Sequence, residues 1–450
     1  MGWIFSMKIN LFETTFKLNQ KENRSIELKP VPNVNTELNV VNLYPGITYQ
    51  IFEGFGGSVT ESSAYVYSLM SKKNKEIFLD KYFGITGNNY TMIRSHIDSC
   101  DFSLDSYSAI DNSNDKDLKC FSLEREEKYI FPLLREIQKK TGKKLPIMLS
   151  PWSPPEYMKT NNNRYGGKLR TEYRQLWAQY ICRYILDYIA RGFTVDKLSI
   201  QNEPNADQNW ESCTYTAEEE KIFLRDYLYP ELAKNQLDDI GLYIWDHNKD
   251  RVFERTNSII DEVTNCMIEG IAFHWYSGDH FENIGLVKQF FPNKKLIFSE
   301  GCIEYSHFNA SYQIQNAQMY AHDIIGNMNA GMTAFIDWNI LLNKDGGPNH
   351  ANNYCEAPLM YDIGKEILEE KLSYSYIGHF SKYIRNNAKR IAFSKYTDKL
   401  EITAVKNVDG SVVSVILNRT KKSMPVVLRI MDQAVSFEVK GDSITTVVIY

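Results

Sequence analysis

Between about residue 50 and residue 340, short apolar runs alternate with longer amphipathic stretches. The runs are Gln50-Ile-Phe-Glu-Gly-Phe-Gly, Thr91-Met-Ile-Arg-Ser-His, Pro146-Ile-Met-Leu-Ser-Pro-Trp and Lys197-Leu-Ser-Ile-Gln-Asn, then Gly241-Leu-Tyr-Ile-Trp-Asp, Gly270-Ile-Ala-Phe-His-Trp-Tyr, Lys295-Leu-Ile-Phe-Ser-Glu and Thr333-Ala-Phe-Ile-Asp-Trp-Asn. Helical periodicity predicts helices between several of them, over Lys128–Thr141, Thr171–Arg191, Ala217–Ala233 and Ser311–Ala330. Eight strands with intervening helices suggest a (β/α)8 barrel. An open doubly wound sheet alternates in the same way. Gly54-Phe-Gly-Gly, however, has neither the dinucleotide-loop nor the phosphate-loop spacing, which disfavours a nucleotide fold.

The two ends of the chain follow another rhythm. Arg390 to Tyr450 carries short alternating runs such as Leu400-Glu-Ile-Thr-Ala-Val, Ser411-Val-Val-Ser-Val-Ile-Leu and Ile444-Thr-Thr-Val-Val-Ile, separated by turn signals such as Val408-Asp-Gly. That spacing predicts an antiparallel β-sandwich. Phe16-Lys-Leu and Leu38-Asn-Val-Val-Asn-Leu are too few to make a sheet alone and are expected to complete it. The predicted division is a sandwich from residues 1–46 and 383–450 around a barrel over 47–382.

Composition changes this picture little. A net charge of −5 with interspersed signs points to neither nucleic acid nor an anionic membrane, and no run is long enough to span a bilayer. Seven scattered cysteines without a Cys-x-x-Cys pair argue against a disulfide framework or a zinc site and fit a reducing compartment. Met1-Gly-Trp-Ile-Phe-Ser offers no signal-peptide core, so a cytoplasmic protein is the expectation, with Met7 as an alternative start.

In a barrel the C-terminal ends of the strands converge on one face. Those ends carry Glu61, Asp98, Asp101, Trp152, Asn202, Glu203, Trp245, Asp246, His247, His274, Trp275, Tyr276, Glu300, Asp337, Trp338 and Asn339. Four tryptophans on one face suggest stacking surfaces for a sugar ring. Glu203 and Glu300 end the fourth and seventh strands, and paired carboxylates about 5 Å apart are what a retaining glycosidase requires. Asn202 is placed to bond a sugar 2-hydroxyl, and Tyr276 to hold the nucleophile from the neighbouring strand. Asp246, His247 and His274 could contribute to a metal site, but no His-Glu-x-x-His or other tight ligand pair occurs, and no metal is expected. No Gly-x-Ser-x-Gly elbow supports a serine nucleophile.

The motifs Gly54-Phe-Gly-Gly-Ser-Val-Thr, Ile93-Arg-Ser-His-Ile-Asp-Ser-Cys-Asp-Phe-Ser, Ser150-Pro-Trp-Ser-Pro-Pro, Gln201-Asn-Glu-Pro, Ala272-Phe-His-Trp-Tyr, Phe298-Ser-Glu, Asp337-Trp-Asn, Gly346-Gly-Pro-Asn and Gly378-His-Phe-Ser-Lys occur in order. Together they resemble glycoside hydrolase family 30, most closely its glucosylceramidase branch. The resemblance implies a (β/α)8 TIM barrel with a sandwich built from both termini, no cofactor, and a place in carbohydrate or sphingolipid metabolism. It implies Glu203 as acid/base and Glu300 as nucleophile of a retaining β-glycosidase acting on terminal β-D-glucosides. Trp152, Asn202, Trp338 and Asn353 match positions that contact the terminal glucose; His274 and Tyr276 complete the expected substrate set. One departure stands out. Where the branch has Thr-Asp after Gly-Phe-Gly-Gly, with the Asp assigned to sugar hydroxyls, this chain has Thr60-Glu61. The extra methylene moves the carboxylate by about 1 Å, so Glu61 is expected to reshape the sugar pocket. β-Xylosidase, β-fucosidase and β-1,6-glucanase activities are the alternatives on the same machinery, and a sugar-binding barrel without catalysis is the alternative of another class. A small-molecule or oligosaccharide β-glycoside is the expected partner.

Overall fold

Eight parallel strands close on themselves in the computed structural model, which describes residues 7–17, 20–33 and 37–450. They are β1 (Gly54–Ser58), β2 (Met92–Ile97), β3 (Pro146–Pro151), β4 (Thr194–Ser199), β5 (Gly241–Asn248), β6 (Gly270–His274), β7 (Lys295–Glu300) and β8 (Ala334–Asp337). Each pairs with its neighbour in chain order, and β8 returns to β1 through Ala334↔Gly54 to Asp337↔Gly57. Every residue of β1, β2, β6 and β8 is buried. Helices cover the outer face of such strands, so they read as continuous apolar runs rather than as alternating ones.

Close packing explains the glycines of β1. A Cβ on Gly56 would lie 2.4 Å from the Met92 carbonyl oxygen, and one on Gly57 would lie 2.3 Å from Ile340 Cγ2. The Gly-Phe-Gly-Gly run is therefore a barrel seam rather than a phosphate loop. The first strand also starts later than the hydrophobic pattern predicts. Gln50 to Phe52 end the strand Val40–Phe52, which pairs with Ala388–Lys395, so the sandwich runs to Phe52 rather than stopping at residue 46.

The sandwich strands form one hydrogen-bonded series of ten, with Ile9–Lys17 set antiparallel against Ser443–Ile449. Both chain ends contribute, as the pattern predicts. Leu18 and Met1 to Ser6 lie outside the described residues. The sandwich has its own core, including Leu11, Leu43, Ile402 and Val447. The helix predicted over 217–233 is broken: a capping box at Thr216 and Glu219 starts it, and a π-helical turn over Leu224–Leu228 interrupts it. Among the described residues no helix is long and apolar enough to cross a membrane.

His379, on the helix Leu372–Ser381, joins barrel to sandwich. Its ring nitrogens lie 2.8 Å from the hydroxyls of Thr446 and Thr14. Burial, aided by Lys382, pushes its pKa down from 6.5 to about 3. The unfolded chain takes up a proton below the ordinary value while the folded chain does not. Stability therefore falls as pH drops from 6.5 towards about 3, by up to roughly 1.4 kcal/mol per pH unit. His379→Gln should flatten the acid side of a Tm–pH profile in that window. An unchanged slope removes the assignment.

Candidate active site

The chain enters the left-handed region at Asp98 (φ 59°), Glu203 (φ 46°), Trp245 (φ 73°) and Asp246 (φ 44°), all just beyond or inside the C-terminal ends of β2, β4 and β5. Non-glycine residues adopt this region at a cost, and such strain gathers at functional sites. At Glu203 the turn is pinned by its own N–H, which donates to the Asp246 carbonyl at 2.9 Å. The N–H of Asn202 donates to the Pro151 carbonyl at 2.9 Å. The Glu203 carboxylate thus rests on backbone shared with β3 and β5.

Arg94, from the middle of β2, is the central cation. Its Nη1 donates to Glu300 Oε2 at 2.5 Å, and its Nη2 to Asn202 Oδ1 at 2.7 Å and Asp246 Oδ2 at 3.0 Å; its Nε donates to Ser150 Oγ at 3.1 Å. The guanidinium lies 4.9 Å from the ring of Trp152 and 5.4 Å from that of Trp338. Those indoles stack on each other with centroids 5.3 Å apart. Arg94 and Asp246 are both fully buried, an arrangement that holds only when every polar atom is matched. Asp246 meets that condition: its other oxygen accepts from Ser299 Oγ at 2.5 Å and lies 3.1 Å from His274 Nε2. Burial opposes its ionisation, but Arg94 first and His274 next outweigh it, so Asp246 stays well below the usual carboxylate range.

The two glutamates have different company. Glu300 accepts from Arg94 and, at 3.1 Å, from the Tyr276 hydroxyl. Glu203 Oε1 faces His274 Nδ1 at 3.1 Å and His247 Nδ1 at 3.5 Å. Burial raises the pKa of Glu300 and the charge of Glu203 adds to this, against His274 and Arg94; burial likewise opposes ionisation of Glu203, but His247 and His274 bring it down. The hydrogen bonds decide the state of Glu300: a carboxyl accepting from a guanidinium and a phenol is held as the anion. His274 is raised to about 9 because Glu300, Asp246 and Glu203 outweigh its burial. An imidazolium then donates to both Glu203 and Asp246, and the proton nearest the Glu203 carboxylate lies in that first bond.

Glu203 and Glu300 open on one cavity of about 520 Å³, together with Asp101, Trp152, Asn202, Tyr276, Trp338 and Asn353. Three expectations change. Glu61 is not on the cavity wall: it begins the helix Glu61–Ser68, is fully buried, and its carboxylate accepts from Arg125 at 2.5 Å and from the Leu104 N–H at 2.9 Å. It braces the loop after β2 from behind. Asp101, on that loop, faces the cavity instead; Asn353 Nδ2 donates to its Oδ2 at 3.1 Å while its buried Oδ1 has no hydrogen-bond partner among the described residues. His274 is also off the wall, fully buried behind Glu203. Trp245 turns away as well, because the left-handed pair Trp245-Asp246 bulges β5 against β6. Its indole donates to the Asn248 carbonyl at 2.8 Å and packs under Arg255. Sequence reasoning placed Asp101 and Asp246 on this face without giving them a role in sugar binding or catalysis, and missed Arg94 and the cavity-lining Trp210. Arg94 stands inside the motif Ile93-Arg-Ser-His, which could have singled it out.

Residues 52–384 match the glycosyl hydrolase family 30 TIM-barrel domain, and residues 387–447 the glycosyl hydrolase family 30 β-sandwich domain. The chain belongs to glycoside hydrolase family 30. The lysosomal acid glucosylceramidase of Mus musculus is 31% identical over 409 residues, which cover 86% of this chain and 79% of that protein. The structure of SrfJ from Salmonella typhimurium superposes with a TM-score of 0.94 at 39% identity, covering 98% of this chain and 99% of that one. That of the endo-β1,6-glucanase BT3312 superposes with a TM-score of 0.88 at 25% identity and the same coverage. The fold and the glycoside hydrolase class follow from the family. Glycosidic linkage and sugar do not, because relatives bearing both names share it.

Proposed function

We propose that this family 30 enzyme is a retaining β-glycosidase that removes terminal β-D-glucosyl groups by double displacement. The observation that carries this reading is the unequal company of two carboxylates in one cavity, Glu300 held as an anion by Arg94 and Tyr276, Glu203 joined to a proton-bearing imidazole. Glu300 attacks the anomeric carbon as Glu203 passes the proton it draws from His274 to the leaving oxygen, forming a glycosyl ester on Glu300. Water then gives its hydroxyl to the anomeric carbon and its proton, through Glu203, back to His274, which frees the sugar with retained configuration and restores both carboxylates. Asn202, fixed by Arg94, reaches the 2-hydroxyl. The free Oδ1 of Asp101, steadied through Asn353, accepts from hydroxyls farther round the ring. Trp152 and Trp338 supply the apolar faces.

Glucose as the sugar is supported by likeness to glucosylceramidase over most of the chain. The likeness to BT3312, over 98% of the chain, favours a second reading, cleavage of β-1,6-glucan. A panel of aryl β-glucoside, β-xyloside and β-fucoside beside a β-1,6-glucan separates them. The expected result is fastest hydrolysis of the glucoside, with β-glucose the first anomer seen by NMR. Faster internal cleavage of the glucan favours the second reading, and α-glucose as first product rules out retention.

A further inference from the structure

We propose that Glu203, His247 and His274 form a binding site for a divalent transition-metal ion of the zinc class, whose occupancy switches hydrolysis off. Oε1 of Glu203 lies 3.1 Å from His274 Nδ1 and 3.5 Å from His247 Nδ1, and one ligand atom from each of the three residues lies within 4.8 Å of the others. Tetrahedral zinc with bonds of about 2.0–2.1 Å sets its ligand atoms about 3.3 Å apart, so small side-chain shifts would seat an ion among these three. Once His274 gives up its proton, two imidazoles and one carboxylate suit zinc, copper or nickel better than magnesium or calcium.

Two independent features point the same way. Nδ1 of His247 is buried, on a residue only 9% exposed, and has no hydrogen-bond partner among the described residues. A buried ring nitrogen aimed at a carboxylate without a bond is costly unless something binds it. The other nitrogen of His274 lies 3.1 Å from Asp246, itself held by Arg94, Ser150 and Ser299. When the ring loses its Nδ1 proton, a carboxylate behind it in this way holds the tautomer that presents a lone pair to a metal. The left-handed backbone at Glu203, Trp245 and Asp246 sets two of the three ligands. The fourth position faces the cavity, where a water completes the shell.

Binding displaces the proton shared by His274 and Glu203, and the ion then occupies the oxygen that must protonate the leaving group. The inhibitory half of the proposal rests on Glu203 as acid/base; the binding half does not. The test titrates chelator-stripped enzyme with Zn2+ by calorimetry and in parallel follows hydrolysis of an aryl β-glucoside. One ion per chain is expected, with activity falling in step and returning on addition of EDTA. His247→Ala should weaken binding by about tenfold or more, each variant being compared with its own metal-free rate. His247→Gln replaces it should the alanine variant not fold. Equal affinity in wild type and variant, or no saturable binding, overturns the site. Tight binding without loss of activity overturns the switch. Inactivity of the stripped wild type on every glycoside contradicts the glycosidase reading and leaves the calorimetric test of the site standing.

Discussion

Glu300→Gln should yield a folded protein whose hydrolysis of aryl β-glucosides falls by about 10⁴-fold or more, the scale of losing a covalent nucleophile. The amide keeps the shape of the side chain and can still accept from Tyr276, but it carries no charge for Arg94 and cannot attack the anomeric carbon. Arg94 retains Asp246 at 3.0 Å, so the buried guanidinium is not left unpaired. The melting temperature should therefore drop far less than the activity. Substrate binding survives, since Asp101, Asn202 and the two stacked tryptophans are untouched, and the loss should fall on kcat rather than KM. Glu300→Gly with added azide should form the α-glucosyl azide, because a small anion then attacks the face that the carboxylate occupied. Near-normal turnover by Glu300→Gln would remove Glu300 from the chemistry.

The barrel was legible because its strands are buried on both faces and end in polar clusters, a pattern that survives without an alignment. Its first strand was less so. Gln50-Ile-Phe and Gly54-Phe-Gly read as one run, yet the chain passes there from sandwich to barrel, and only the pairing of Phe52 with Ala388 reveals the break. The glutamates were legible for a related reason: each follows an apolar strand, and strand-end position is a matter of counting. Which side chains near a strand end enter the cavity is a matter of backbone twist. Strand-end position places Trp245 beside the sugar, but positive φ at Trp245 and Asp246 turns the indole outwards. Glu61 misled because it follows a strand and starts a helix, where a carboxylate has several partners within reach. Arg125 and the Leu104 amide take it, and neither is near in sequence.

Arg94 and Asp246 give the pair its asymmetry, and neither is distinctive in sequence. Asp246 receives Arg94 on one oxygen and faces His274 from the other, so one fully buried carboxylate links the group that steadies Glu300 to the group that steadies Glu203. A desolvated charge of this kind earns its place by fixing neighbours rather than by adding stability. It also keeps His274 in one orientation, whether that ring shares a proton with Glu203 or presents a lone pair to an ion.

Glu203→Ala should separate the two chemical steps by leaving group. With a phenol of low pKa the first displacement needs little acid, so glycosylation of Glu300 should persist. Deglycosylation then lacks its base, and a burst of phenol equal to the enzyme concentration should precede a slow steady rate. With an alkyl glucoside, whose leaving oxygen requires a proton, the first step itself should slow by about 10²–10⁴-fold. Azide needs no base. It should restore turnover on the activated substrate and yield the β-glucosyl azide, the opposite anomer to that from Glu300→Gly. The variant also removes the carboxylate facing His274, which keeps its bond to Asp246, so the barrel should stay folded. Equal losses on good and poor leaving groups, without azide rescue, would show that Glu203 positions the substrate and that the proton comes from another group.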